Sequence, residues 1–190
     1  MKTVLLNKSS KVFDNDKIEC IENKEKIREK IKKLKDNSNN NIIIEKFNTH
    51  IEQIKLINRL FLGEIFIERK FLLSELKNKL SSYKNQDIKK DLHEECNLIT
   101  LDNIINKLVN SKLKCFYCNE KMYILFEKVR DNKQWTLDRL NNYDEHTDKN
   151  TIVCCLQCNL QRRRKNSEKF KFTKQLETKQ LKINKINYSI

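Results

Sequence analysis

The feature that most limits what this chain can fold into is a pair of cysteine knuckles, Cys115-Phe-Tyr-Cys118 and Cys155-Leu-Gln-Cys158, with 36 residues between them. A C-x-x-C turn presents two thiolates from one backbone bend, and two such turns supply the four soft ligands of a tetrahedral Zn2+. Compact four-cysteine ribbons have a shorter gap, so a structural insert has to lie between these knuckles. Cys154 is adjacent and could substitute, but only Cys155 keeps the two-residue spacer before Cys158. Four thiolates leave no open coordination position, so a single Zn2+ per chain is expected to be structural and to contribute folding energy directly.

The other cysteines, Cys20 and Cys96, read as ordinary thiols. An odd total of seven, in a chain whose N-terminal apolar run is only Val4-Leu5-Leu6, argues against a secreted disulfide framework. The richest apolar segment, Leu56 to Leu73, is broken by charges and is no membrane span. An intracellular site is expected: the cytoplasm or nucleus of a host cell, or a virion. The chain has one Gly, no Pro and no Ala, a bias that fits an AT-rich genome, such as that of a large DNA virus.

Apolar periodicity divides the chain into three parts. Residues 1–100 form a helical region of unknown role, residues 101–165 a zinc-stabilised module, and residues 166–190 a basic C-terminal segment. In the first part a short strand is expected at Thr3–Leu6. Ile27, Ile31 and Leu34 mark a helix over 21–35, and Asp36 to Asn41 a linker. Helix resumes from Ile43 to Ser81, divided near Gly63, and Ser81 to Gln86 reads as a loop. His50 has no companion ligand, and His93 reads as solvated. Leu101, Ile104, Ile105 and Leu108 mark a short helix leading into the first knuckle.

Between the knuckles, Met122 to Lys128 and Gln134 to Leu140 read as a hairpin turning at Asp131-Asn132. A polar loop over 141–150 follows. A helix is then expected from near Thr151, carrying the second knuckle into Arg162, Arg163, Arg164 and Lys165. The fold class is α+β and mostly helical: a helical N-terminal region plus a zinc-bound ββα unit.

The string Trp135-Thr-Leu-Asp-Arg-Leu-Asn-Asn, then His146, Asn150 and Cys155-Leu-Gln-Cys158-Asn159-Leu-Gln-Arg162-Arg163, resembles the zinc-containing HNH (ββα-metal, His-Me finger) endonucleases. The likeness covers about residues 112–165. It implies that Asp138 and Asn159 hold a divalent ion, Mg2+ or Mn2+, at the scissile phosphate, and that Asn150 fastens the loop. Oxygen ligands suit such an ion, which keeps waters and is completed by phosphate. The family places a general-base His directly after the metal-binding Asp, where this chain has Arg139. Arginine stays protonated and cannot take a proton from water, but it can contact phosphate. His146 is the motif's one imidazole and is the candidate base, with loop packing as its alternative role.

The net charge of +14 is uneven. Residues 151–190 hold ten basic and two acidic residues, +8 in forty positions. An acidic polymer is drawn there first, and Arg162, Arg163, Arg164 and Lys165 are candidate nucleic-acid contacts. The resemblance thus implies a metal-dependent endonuclease hydrolysing DNA phosphodiester bonds. The alternative is a catalytically inactive zinc-containing nucleic-acid-binding or structural protein, of virion or chromatin, on the same scaffold.

Overall fold

The computed structural model describes residues 38–93 and 97–187. The strand expected at 3–6, the helix over 21–35, Cys20 and Cys96 lie outside these residues. Chain contacts divide the molecule after Asn41, and apart from the first turn of the first helix everything below concerns the unit that starts at Ile42.

The described elements run α1 (Ser38–Lys46), α2 (His50–Phe61), α3 (Arg69–Lys89), α4 (Leu101–Asn110), β1 (Trp135–Arg139), β2 (Thr151–Cys155), α5 (Leu156–Arg162) and α6 (Ser167–Asn187). The protein is α+β, with one small antiparallel sheet. None of the described helices is long and apolar enough to cross a membrane. The supposed linker over 36–41 is already helical from Ser38.

Helix α2 starts at a capping box. The Thr49 side chain accepts from the Glu52 N–H, and the Glu52 carboxylate accepts from the Thr49 N–H. It ends at Gly63, which adopts a φ of 72° and closes the helix with bonds from Gly63 N–H to Leu60 O and from Glu64 N–H to Arg59 O. The expected division there is observed. Leu56, Ile57 and Leu60 of α2 are buried, as are Ile104, Ile105 and Leu108 of α4, and the two helices pack together.

Helix α3 does not stop at Ser81 but continues to Lys89, so the loop expected over 81–86 is absent. Leu72, Leu76, Tyr83 and Asp87 fall on one helical face and are all buried. The last two turns looked like loop because their inward residues are polar. Tyr83 accepts from the Leu137 N–H at 2.9 Å, and Asp87 enters the site described below.

The expected hairpin is also replaced. β1 pairs with β2, in a register that sets Trp135 opposite Cys155 and Asp138 opposite Ile152. Met122–Lys128 is not a strand. Beside single bridges, a side chain satisfies its middle: Gln53 of α2 accepts from the Ile124 and Leu125 N–H groups at 2.7 and 3.1 Å and donates to Leu125 O at 2.9 Å. That segment buries Met122, Ile124 and Leu125 without needing a strand partner. The helix expected from Thr151 begins only at Leu156, because the β-branched run Thr151-Ile-Val pairs with β1. Strand, loop, strand and helix follow one another directly, and α5 packs on both strands.

Candidate metal centre and cationic cleft

Cys115 and Cys118 sit on the turn after α4, while Cys155 ends β2 and Cys158 lies in the first turn of α5. Pairing of β1 with β2 brings the second knuckle onto the first: Phe116 N–H donates to Val153 O at 3.1 Å. The four Sγ atoms lie within 4.8 Å of one another, and Cys118 and Cys155 are 4.0 Å apart. A Zn–S bond of about 2.3 Å in a tetrahedron spaces its sulfurs by about 3.8 Å, so the set could hold such an ion. Cys155 Sγ also accepts from the Cys158 N–H at 3.4 Å, capping α5. Hydrogen bonds from Cys118, Cys155 and Cys158 drive the Cys115 thiol far below its ordinary range, and those with Cys115, Cys118 and Cys155 drive Cys158 up. Four thiols this close cannot share negative charge without a cation. Cys154 lies outside the cluster, fully buried and 3.4 Å from Thr136 Oγ1.

The end of β1 opens on a cleft of about 970 Å³. Thr136 and Asp138 share one face of β1, and α5 crosses it. Asn159 donates to Thr136 Oγ1 and to Leu137 O, both at 3.1 Å. One turn on, Arg162 grips Asp138: Nη2 donates to Oδ1 at 2.9 Å, and Nε lies 2.5 Å from Oδ2 as an ion pair without hydrogen-bond alignment. Tyr117 donates to the same Oδ2 at 2.6 Å. Burial, and then that carboxylate, push the Tyr117 phenol well above its ordinary value and keep it a donor.

Arg162 is therefore not a surface cation. It is 1% exposed and also serves Arg139 O, Asn142 Oδ1 at 3.0 Å and Lys165 O at 2.9 Å. Burial opposes its charge, but the Asp138 hydrogen bond and charge outweigh this and raise its pKa. Nor do the basic residues continue one helix. α5 ends at Arg162, and Arg163 turns the chain at φ 53°, ψ −111°, its carbonyl accepting from Asn142 Nδ2 at 3.0 Å. Arg163, Arg164 and Lys165 are exposed.

The loop between the strands is fastened by Asn150. Its Nδ2 donates to Asn141 O at 3.0 Å and Glu145 O at 2.9 Å, and its Oδ1 accepts from Asn141 N–H at 2.8 Å. The loop carries His146, 3% exposed, to the end of α3. Both Asp87 oxygens lie 2.8 Å from His146 Nδ1, and Oδ2 accepts from the His146 N–H at 2.9 Å. The Tyr83 ring lies against the imidazole, centroids 4.9 Å apart. Arg139 Nη1 reaches Asp87 Oδ1 at 3.3 Å and Asp144 O at 3.0 Å, so this guanidinium braces the pair and the loop. Burial depresses the His146 pKa, and the Asp87 hydrogen bond only partly offsets it. His93 is not solvated either, because its Nδ1 lies 3.3 Å from Glu145 Oε2 on the same loop. His50, for its part, bonds Leu113 O at 3.0 Å in the core.

Asp138, His146, Asn159 and Arg139 thus line one cleft, while Asn150 does not line it and acts on the loop that carries His146. Lys79 of α3, Lys90 just past its end and the run Arg162–Lys165 join them, and among the described residues that line the cleft Asp138 is the one carboxylate. Lys79 lies between the Trp135 and Phe126 rings, 4.5 and 5.1 Å from their centroids, and burial pushes its pKa down to about 7. Asp87, Tyr83 and Tyr117 were missed from sequence. For Asp87 and Tyr83 a signal existed, their continuation of the Leu72–Leu76 face.

Asp138 and Asn159 retain some acceptor capacity. A carboxylate offers about four lone-pair sites, of which hydrogen bonds from Tyr117 and Arg162 Nη2 engage two here while Arg162 Nε crowds Oδ2, and the Asn159 amide nitrogen is the half that bonds the strand. Oxygen donors are the type a hard divalent ion takes. Arg162, in contact with both Asp138 oxygens, opposes a second cation there. Compared with known protein families, curated proteins and solved structures, the chain matches none.

Proposed function

We propose that the chain is a metal-dependent endonuclease of the HNH type, cleaving DNA phosphodiester bonds in the cleft at the end of β1, around a structural Zn2+ on Cys115, Cys118, Cys155 and Cys158. The observation that carries this reading is the pairing of a buried imidazole with a buried carboxylate in a strongly basic cleft. Phosphate is the ligand that such a cleft attracts, and a histidine held at Nδ1 keeps Nε2 for proton transfer.

In this mechanism Asp87 fixes the tautomer with the proton on Nδ1, as a carboxylate does behind a catalytic imidazole. Nε2 takes a proton from water as the water oxygen bonds to phosphorus. The P–O3′ bond breaks, and the leaving oxygen gains a proton from solvent. Arg163, Arg164 and Lys165 hold the flanking phosphates. Arg162 keeps Asp138 in place rather than touching substrate, and Arg139 supports Asp87 and the loop. A divalent ion held by Asp138 and Asn159 would supply charge stabilisation at the phosphate. The depressed pKa keeps His146 neutral at neutral pH, in the form a base requires.

The second reading, a binding protein without catalysis, is favoured by one observation: Asp138 is already neutralised by Arg162. Incubating supercoiled plasmid with the protein and Mg2+ or Mn2+ separates the two. Nicking that is lost in Asp138→Ala and His146→Ala supports the nuclease. Retention of the plasmid without nicking supports the binder.

A further inference from the structure

The cleft at β1 does not end at Arg163. A second groove of about 910 Å³ runs between α5 and the first turns of α6, and the two share Leu160, Arg163, Lys165 and Asn166. Its lysines include Lys169 and Lys174, and its one carboxylate, Glu177, is paired with Lys174 at 2.7 Å. The groove has a fixed floor. Phe170 is buried, its ring edge-on to Tyr117 with centroids 5.0 Å apart, and Tyr117 is the phenol that bonds Asp138. The Phe170 ring also lies 5.9 Å from the ammonium groups of both Lys165 and Lys174. One aromatic side chain therefore lies within cation–π range of both ammonium groups and connects, through Tyr117, to the strand that carries Asp138.

We propose that a DNA backbone leaves the His146 cleft over Arg163 and Lys165 and continues along the α5–α6 groove, with Lys169 and Lys174 as its phosphate contacts. This deepens the nuclease reading by giving the substrate a direction and an extended footprint on one side of the reacting phosphate. Lys169 and Lys174 are five residues apart, about 7.5 Å along the helix axis. At about 3.4 Å of rise per nucleotide that covers about two nucleotides. The partner is chosen by charge. Cations spaced along a groove favour a chain of regularly spaced anions over a single anionic group.

The test is the salt dependence of binding to a fluorescein-labelled 20-base-pair DNA duplex, read by anisotropy on zinc-loaded full-length protein. Each phosphate contact contributes about 0.9 to the slope of log K against log salt. Lys169→Ala/Lys174→Ala is expected to lower that slope by about 2 and to weaken binding about tenfold or more at 0.1 M salt. Arg163→Ala/Arg164→Ala serves as the comparison for the cleft itself. An unchanged slope and affinity in the lysine variant, with the arginine variant weakened, would overturn the extended path and leave the cleft reading standing. If neither pair matters, both readings fail. Loss in both, with unfolding curves matching the wild type, supports the path.

Discussion

Arg162 and Arg163 are neighbours in sequence with opposite environments, so substituting each in turn should give opposite results. Arg162→Ala removes both contacts to the Asp138 carboxylate and the donors to Arg139 O, Asn142 Oδ1 and Lys165 O. Among the described residues, Tyr117 then remains as the hydrogen-bond donor to Asp138. Removing one partner of a buried ion pair costs about 3–5 kcal/mol, because the other charge is left without compensation. That is a large part of the roughly 5–15 kcal/mol that holds a domain together. Arg163, by contrast, is exposed and sits at φ 53°, ψ −111°, a conformation that glycine adopts freely and other residues hold at a cost of about 1–3 kcal/mol. Arg163→Gly should therefore raise stability by up to about 1 kcal/mol while weakening DNA binding. Urea unfolding of the zinc-loaded protein, with anisotropy on the same samples, reads both quantities. If Arg162→Ala lost under 1 kcal/mol and weakened DNA binding as much as Arg163→Gly, its assignment to the interior would be refuted.

The remaining predictions concern the imidazole and the cysteines. His146→Ala should lower plasmid nicking by about 10²–10⁴-fold with zinc content unchanged, measured by gel densitometry and metal analysis. Because burial sets the folded His146 pKa below its ordinary value, the unfolded chain binds its proton more readily. Its contribution to stability is full above about pH 6.5 and is lost as pH falls through the lower folded value. Nicking should follow the same depressed pKa, with its acid limb lying below about pH 6.5. Asp87→Asn removes the group that pulls this pKa upward, so the acid limb of the pH–rate profile should move further down while the plateau rate falls. Metal analysis should find about one zinc per chain. Cys158→Ser or prolonged chelation should unfold the region from Cys115 to Arg162, seen as a loss of Trp135 burial by fluorescence, since such sites contribute on the order of 10 kcal/mol.

What was legible in the sequence was what depends on local spacing. The cysteine knuckles, the Gly63 break and the amphipathic helix after Thr100 each follow from a short pattern. Asn159 entered through the family resemblance, which rests on its place directly after Cys158. What was missed depends on side chains that satisfy distant groups. Gln53 provides the hydrogen bonds that would otherwise have made 122–128 a strand. Asp87 looks like a solvated helix-end residue until His146 and Arg139, more than fifty positions away, are brought to it. The basic run 162–165 read as one uniform patch, because nothing in its composition distinguishes the arginine turned inward to Asp138 from those facing water.

The most direct test of the central claim is the relaxation of supercoiled plasmid by purified protein in Mg2+ or Mn2+, beside His146→Ala with its zinc content verified. The account predicts relaxed product from the wild type and almost none from the variant. Equal relaxation by both proteins, or none by either at any divalent ion concentration while DNA is still bound, would contradict it.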